Sequence, residues 1–490
     1  MPGDNPMVTT ATTTTLLDTI LDEGRLAMEP SQRDHARNLV AEFVDQVLTD
    51  KDKVQGDVVE SIKLRVAEID RLISAQLNQA MHNEEFQKLE ASWRGLHHLV
   101  SRSETGPTLK LRVLNVSKDE LSKDLEKAVE FDQSSLFKKV YEEEYGTFGG
   151  TPYGLLVGDY EFGRHPQDIQ LLEKISNVAS AAHAPFIAAA SGRMFGLENF
   201  TRLPDPRDLA NIFETTEMTK WRSFRSSEDS RYVGLCMPHV LLRLPYGEAT
   251  KPVEGLRFEE DVDGTDHGKY LWGNAAWVLA ERITAAFAKH GWCAAVRGVE
   301  GGGKVEGLPT HTFRTDDGEV ALKCPTEVAI TDRREKELAE LGFIPLVHCK
   351  TTDYAAFFGA QTANKPRLYD TNEANANARL SAVLTYMMAA SRFAHYLKVM
   401  VRDKVGSFST ASQLSNYLNR WLSNYILLMD EATQEDKARL PLREGRVDVT
   451  EVPGRPGSFR ATVFLRPHFQ LEELTASIRL VAELPAAVAA

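Results

Sequence analysis

The sequence predicts a mixed α+β and α/β chain: N-terminal helices, a central α/β domain, and C-terminal helices followed by a β-strand region. Three observations predict it. Apolar residues step by three and four between 36 and 100. Buried-strand runs alternate with helical periods between about 109 and 300. Two amphipathic helices precede alternating strands after 371.

At 490 residues the length suggests about three domains, drawn here at 1–55, 56–370 and 371–490. The first 15 residues, with six Thr and two Pro, read as a mobile tail. In "TLLDTILDEGRLA", Leu16, Leu17, Ile20 and Leu21 share one helical face. A helix this short is not stable alone. Two readings stand: it docks on its own domain, or it is a handle for a partner groove. After Pro30, Ser31 caps a helix bearing Ala36, Leu39, Val40, Phe43, Val44 and Val47. The next two helices carry heptad seams, Val59, Ile62, Val66, Ile69 and Ile73, then Phe86, Leu89, Trp93, Leu96 and Val100. Two such seams point to packing in an intramolecular bundle.

"LKLRVLNV" (109–116) alternates as a strand. "GLLVGDY" and "PFIAAAS" read as buried strands around a helix in "DIQLLEKISNVASAAH", which makes a βαβ unit. "LWGNAAWVLAERITAAFAKHG" is a helix closed by Gly291, and "WCAAVRG" reads as a strand. Beyond 371 one helical face carries Leu380, Val383, Leu384, Met387, Ser391, Ala394, Leu397 and Val401. The next carries Leu414, Leu418, Trp421, Leu422, Tyr425 and Met429. "RVDVTEV" and "SFRATVFL" flank "PGRPG" as a hairpin. In "LTASIRLVAEL", Ala476, Ile478, Leu480, Ala482 and Leu484 alternate with polar residues. That strand is either an internal edge or one donated to another subunit.

Composition narrows function. The net charge of −13 argues against a nucleic-acid binder. The four cysteines form no C-x-x-C pair, so neither a zinc site nor a disulfide framework is expected. No apolar run reaches membrane-spanning length and no signal peptide opens the chain, so a soluble, cytoplasmic protein is expected. Gly298 through Lys304 matches G-x-x-x-x-G-K, but Val305 stands where a phosphate-binding loop needs a hydroxyl. Gly307 and Pro309 follow where its helix should run. His183, His311, His348 and His395 read as hydrogen-bonded core histidines. Asp159, Glu161, Arg164 and His165 gather after a strand, and turn capping with ion pairing accounts for them. No catalytic residue, cofactor or metal is expected.

Eight long stretches carry a resemblance: "FQKLEASWRGLHHLV", "GLLVGDYEF", "AAHAPFIAAAS", "WRSFRSSEDSRYVGLCMPHVLLRLPYG", "YLWGNAAWVLAERI", "GWCAAVRGVEGGGKVEGLPTHTF", "KCPTEVAITDRREKELAELGF" and "SRFAHYLKVMVRDKVGSF". From about residue 60 onward the chain resembles the large subunit of the type VI secretion contractile sheath, the TssC/VipB family. The resemblance implies a non-enzymatic bacterial polymer subunit. It would pair with the small sheath subunit (TssB/VipA), and the heterodimers would polymerise around a tube of Hcp and meet baseplate components. The AAA+ unfoldase ClpV would dismantle the contracted polymer through Leu16, Leu17, Ile20 and Leu21. Strand exchange between neighbouring subunits would involve Val447, Val449, Ala461, Val463, Ile478, Leu480 and Ala482. Arg333, Lys336, Glu337 and Glu340, on an expected charged helix, form a possible face toward the tube, although a solvated face is the plainer reading. The alternatives are a nucleotide hydrolase using 298–304, or the sheath of a phage-tail-like injection particle.

Overall fold

The computed structural model describes residues 21, 29–49, 58–315, 317–404, 410–429, 431–453 and 459–468. These fall into two compact units, 1–82 with 245–261, and 83–244 with 262–490. The division cuts across the three-part scheme read from the sequence. A loop distant in sequence joins the first unit because Asn78 Nδ2 donates to Glu259 O (3.1 Å) and Asn78 Oδ1 accepts from Asp261 N (2.9 Å).

The first unit holds α1 (Pro30–Thr49) and α2 (Val58–Met81). Ala36 is buried, but Leu39 and Val44 of the same predicted face are 54% and 42% exposed, and Ile62, Val66, Ile69 and Ile73 are 39–46% exposed. His82 Nε2 meets the buried Glu260 at 3.3 Å, and Glu260 also accepts from Tyr246 N (2.9 Å).

The second unit opens with α3 (Glu84–Arg102), capped by Asn83, whose side chain accepts from the Glu85 and Phe86 N–H groups. Its centre is a six-stranded sheet of β1 (Leu156–Phe162), β2 (Phe186–Ala190), β3 (Val233–Met237), β4 (Lys304–Glu306), β5 (Ile344–His348) and β6 (Tyr354–Phe357). The order is β1-β2-β3-β5-β6-β4, with β1, β2, β3 and β5 parallel and β6 antiparallel to β5 and β4. The predicted βαβ unit is present, with α4 (Pro166–Ala182) as its crossover. β2 and β3 are buried along their whole length, which is why they read as continuous apolar runs. One core holds α4 and the rings of Phe195, Trp221 and Phe343; a second holds α5 (Ala275–His290). α6 (Asp332–Glu340) precedes β5.

A third core lies where α7 (Leu384–Asp403) and α8 (Ala411–Ser423) meet the hairpin β7 (Leu442–Glu451) and β8 (Phe459–Pro467). The predicted face from Leu380 to Val401 is interrupted rather than continuous. Leu384 N donates to Ala360 O (2.8 Å) and Val383 bridges Gln361, so the backbone there serves a neighbouring strand segment.

Two predicted strands are corrected. Residues 109–116 run without a ladder partner among the described residues. They are held by side chains instead: Tyr160 OH donates to Val116 O (2.7 Å), and Arg112 pairs with Glu144. Leu109, Leu111 and Val116 are half-buried but Val113 and Leu114 are 70% and 52% exposed, so the alternation marked neither a buried face nor a sheet. Residues 292–297 also form no strand. Trp292 draws them toward Phe393 (ring centroids 4.3 Å apart) and Tyr425 (5.2 Å).

The turn between β5 and β6 carries a local cost. Thr351 is exposed at φ 66°, a left-handed conformation that disfavours β-branched residues. Thr351→Gly is expected to raise unfolding stability by about 1 kcal/mol, after the entropy glycine adds to the unfolded chain. Urea denaturation measures this, with an unchanged m-value.

Candidate functional site

The glycine-rich loop comes first because its motif suggested chemistry. Gly298 and Gly302 have φ of 73° and 94°. Gly298 N donates to Phe357 O (2.7 Å), and Gly303 N donates to Gly298 O (2.8 Å). A Cβ on Gly303 would lie 2.5 Å from Phe357 O and 2.6 Å from Arg297 Cα. The glycines therefore let the chain fold back against β6. The loop leads into β4, not a helix, with Val305 fully buried in the sheet. Lys304 pairs with Glu306 and sits 4.5 Å over the Tyr354 ring. Phosphate binding needs a helix N-terminus after the loop, and a strand supplies none. A 660 Å³ cavity beside the loop carries Arg282, Arg297, Lys289 and Lys437, but also Glu300 and Glu435, and Arg282 is paired with Glu281. Gly303→Ala is expected to cost about 1–3 kcal/mol through overpacking, whereas Lys304→Ala should leave the melting temperature unchanged. A catalytic loop would reverse that ranking in any turnover assay.

A buried charge network lies at the carboxyl ends of β1 and β3, and sequence reading missed it. Glu327 is almost fully enclosed. It accepts from His239 Nδ1 (2.6 Å), His267 Nε2 (3.0 Å) and Phe200 N (2.9 Å). His239 Nε2 meets Glu161 at 2.9 Å. Burial disfavours the His239 cation, yet the bonds to Glu161 and Glu327 override it and push His239 up to about 10. Burial likewise opposes the Glu327 carboxylate, and its histidine partners hold it down at about 2. Through His239 the network ties Glu161 on β1 to Glu327 and the Phe200 backbone, which fastens these segments together.

The rest of the suspected Asp159–His165 cluster is divided among separate contacts. Asp159 accepts from Trp277 Nε1 (3.0 Å), and Arg164 pairs with Glu217 at 3.1 Å. The four histidines expected to be core residues are hydrogen-bonded: His183 to Tyr232 OH, His311 to Tyr270 OH, His348 to Thr352 O and His395 to Ala182 O.

On α3 the heptad seam is exposed. Phe86 is 44%, Leu89 56%, Trp93 66% and Val100 48% exposed. The opposite face packs inward through Gly95 and Leu99, because only glycine admits the Trp277 ring of α5 that close. Periodicity located an apolar stripe but not what covers it. Monomers rarely expose contiguous apolar stripes without a partner.

Of the expected strand-exchange residues, Val447 pairs with Val463 and Val449 with Ala461 in the β7–β8 hairpin. Val447 is buried, while Ala461 and Val463 are exposed. The outer edge of β7 is occupied at that point: Val447 N donates to Asn419 Oδ1 (2.9 Å), and Val447 O accepts from Asn419 Nδ2 (2.7 Å) and Ser415 Oγ (2.9 Å). The outer edge of β8 pairs with no strand among the described residues. Ile478, Leu480 and Ala482 lie outside the described residues, as do Leu16, Leu17 and Ile20. Leu21 is described and buried. On α6, Arg333, Lys336 and Glu340 are exposed. Glu337 is not part of that face, because it accepts from Leu209 N and pairs with Arg334 at 2.8 Å. No described helix is long and apolar enough to cross a membrane.

Known proteins share this sequence along nearly its whole length. Residues 63–364 match VipB, the EvpB-type tail sheath N-terminal domain, and residues 373–484 match the tail sheath gpW/gp25-like domain. The type VI secretion system sheath protein TssC1 of Pseudomonas aeruginosa PAO1 is 50% identical over 485 residues, covering 98% of this chain and 97% of that protein. Two solved assemblies are more remote. The anti-feeding prophage baseplate matches at 9% identity and a TM-score of 0.35, over 64% of this chain and 66% of that one. The contracted helical sheath of the same prophage matches at 12% identity and 0.28, over 63% and 66%. Neither score is high enough to carry weight.

Proposed function

The chain belongs to the VipB family of type VI secretion tail-sheath proteins and is a contractile-sheath subunit, and from that premise we propose how it assembles. The carrying observation is the exposed α3 stripe. It is a seam for an amphipathic helix of the small sheath subunit (TssB/VipA), with the stripe on α2 offering a second. The heterodimers then polymerise around the Hcp tube. A heterologous, non-closing contact between identical units generates an open helix rather than a ring.

Strand exchange is assigned to the outer edge of β8. Asn419 occupies the outer edge of β7 at Val447, whereas no strand among the described residues occupies the outer edge of β8, which favours β8 for an added strand. Such a tether holds subunits together while rigid bodies rotate during contraction. The exposed Arg333, Lys336 and Glu340 remain the proposed tube-facing groups, and the Leu16–Leu21 stretch the ClpV handle. The subunit itself needs no active site, and its place is the bacterial cytoplasm beside the baseplate.

Co-expression with the small subunit and electron microscopy test this reading. Hollow tubules of regular helical section are expected. Placing proline at Val463, in the middle of β8, should leave heterodimers intact but shorten or abolish tubules. Full-length tubules from that variant would remove β8 as the exchange edge.

A further inference from the structure

The second unit contains a cavity of 420 Å³ to which the sheath reading gives no role. Its walls are mostly apolar: Leu155, Val157, Ile283, Phe287 and Met388 line it, and the unpaired segment 107–112 forms one side. Three charged residues reach it, Lys110, Arg112 and Arg392, and no carboxylate is among the lining residues. Arg112 is answered by Glu144 from outside. Arg392 lies on α7 with its guanidinium 4.6 Å over the Tyr396 ring, and its buried Nε has no hydrogen-bond partner among the described residues.

A mostly apolar cavity of this size with a few polar groups at its wall has the form of a small-molecule site. A buried guanidinium nitrogen without an acceptor is costly, and the missing acceptor is most simply a carboxylate, whose planar oxygens suit arginine's fork. We propose that this cavity binds an amphipathic carboxylate, a medium-chain acyl acid whose tail fills the apolar interior and whose head group meets Arg392. The charge pattern sets the polarity of the ligand: a cationic amphiphile offers Arg392 no acceptor, and a neutral one offers only a weaker, uncharged acceptor. Binding is non-covalent. Cys293 also lines the cavity, but burial pushes its thiol up to about 12, which keeps it out of the thiolate form.

The test is calorimetry on the full chain, as it assembles with its small subunit, titrated with dodecanoate below its micelle concentration. One saturable site is expected. Dodecanol should bind at least about tenfold more weakly, the value of one charge-assisted hydrogen bond. Arg392→Gln should weaken dodecanoate by a similar factor while leaving dodecanol unchanged. Ala280→Leu, which adds volume at the wall, should weaken both ligands. The proposal is overturned if dodecanoate shows no saturable binding, or if several equivalents bind without regard to head group. It is equally overturned if Arg392→Gln leaves the preference for the acid intact.

Discussion

Replacing Leu89 and Trp93 together by aspartate is expected to abolish assembly with the small sheath subunit while the isolated chain keeps its melting temperature. Both side chains lie on the exposed stripe of α3, at 56% and 66% exposure, so neither change opens a cavity in the core. Buried tryptophan and leucine anchors at the centre of an interface are each worth about 2 kcal/mol or more on truncation. Two charges placed against an apolar partner add desolvation costs to that loss. The combined effect is at least about a thousandfold in affinity, taking 1.4 kcal/mol per factor of ten. Co-purification on a tagged small subunit reads it directly. Lys88→Asp, on the same helix but 72% exposed in its side chain and outside the stripe, serves as the control and should bind normally. If the double variant still co-purifies at wild-type yield, the seam is not the docking surface. If the Gly95 face is altered instead, the fold itself fails, because the Trp277 ring occupies that space.

Glu327→Ala is expected to produce the largest loss of stability, about 3–5 kcal/mol, because it leaves the buried His239 cation without one of its two carboxylate partners and the Phe200 N–H without its acceptor. The pH dependence identifies the cause. His239 has a folded value of about 10 against an ordinary 6.5, so its stabilisation is full below about 6.5 and is lost as pH rises toward 10. Glu327, held at about 2 against 4.5, contributes above 4.5 and loses that contribution as pH falls toward 2. The difference between wild type and variant should therefore be greatest near pH 5–6 and shrink by pH 9. His395 slopes the other way. Burial lowers it to about 4, so its contribution is full above 6.5 and falls as pH drops toward 4, in both proteins alike. Denaturation at pH 6 and pH 9 separates the terms. A pH-independent difference would mean that lost packing, not charge, accounts for the variant.

Local pattern was legible wherever one residue's environment depends on its near neighbours. The runs at β1 and β2 and the helical period of α4 announced the βαβ unit; β2 is buried along its whole length, whereas β1 is only partly buried and exposes Glu161. Val305 in place of a hydroxyl already argued against nucleotide chemistry, and β4 supplied the reason. The same local logic misled at 109–116. Alternation there did not correspond to a buried face, since Val113 is exposed, and a strand also needs a neighbour to bond. The seams on α2 and α3 were read correctly as apolar stripes, but a period does not say what covers it.

By itself the sequence determined the helical and strand periods, the absence of a hydroxyl after Lys304, and the long phrases that mark a sheath protein. Only the tertiary structure decided what lies far apart along the chain but close in space. His239 and Glu327 are separated by 88 residues, and Asn419 reaches Val447 across 28 to close one hairpin edge. Arg392 meets an apolar cavity walled by residues from 107 onward. Periodicity is a property of neighbours on one element, whereas burial, charge pairing and open strand edges are properties of elements brought together. Their energies come from water excluded between segments, which no local spacing records.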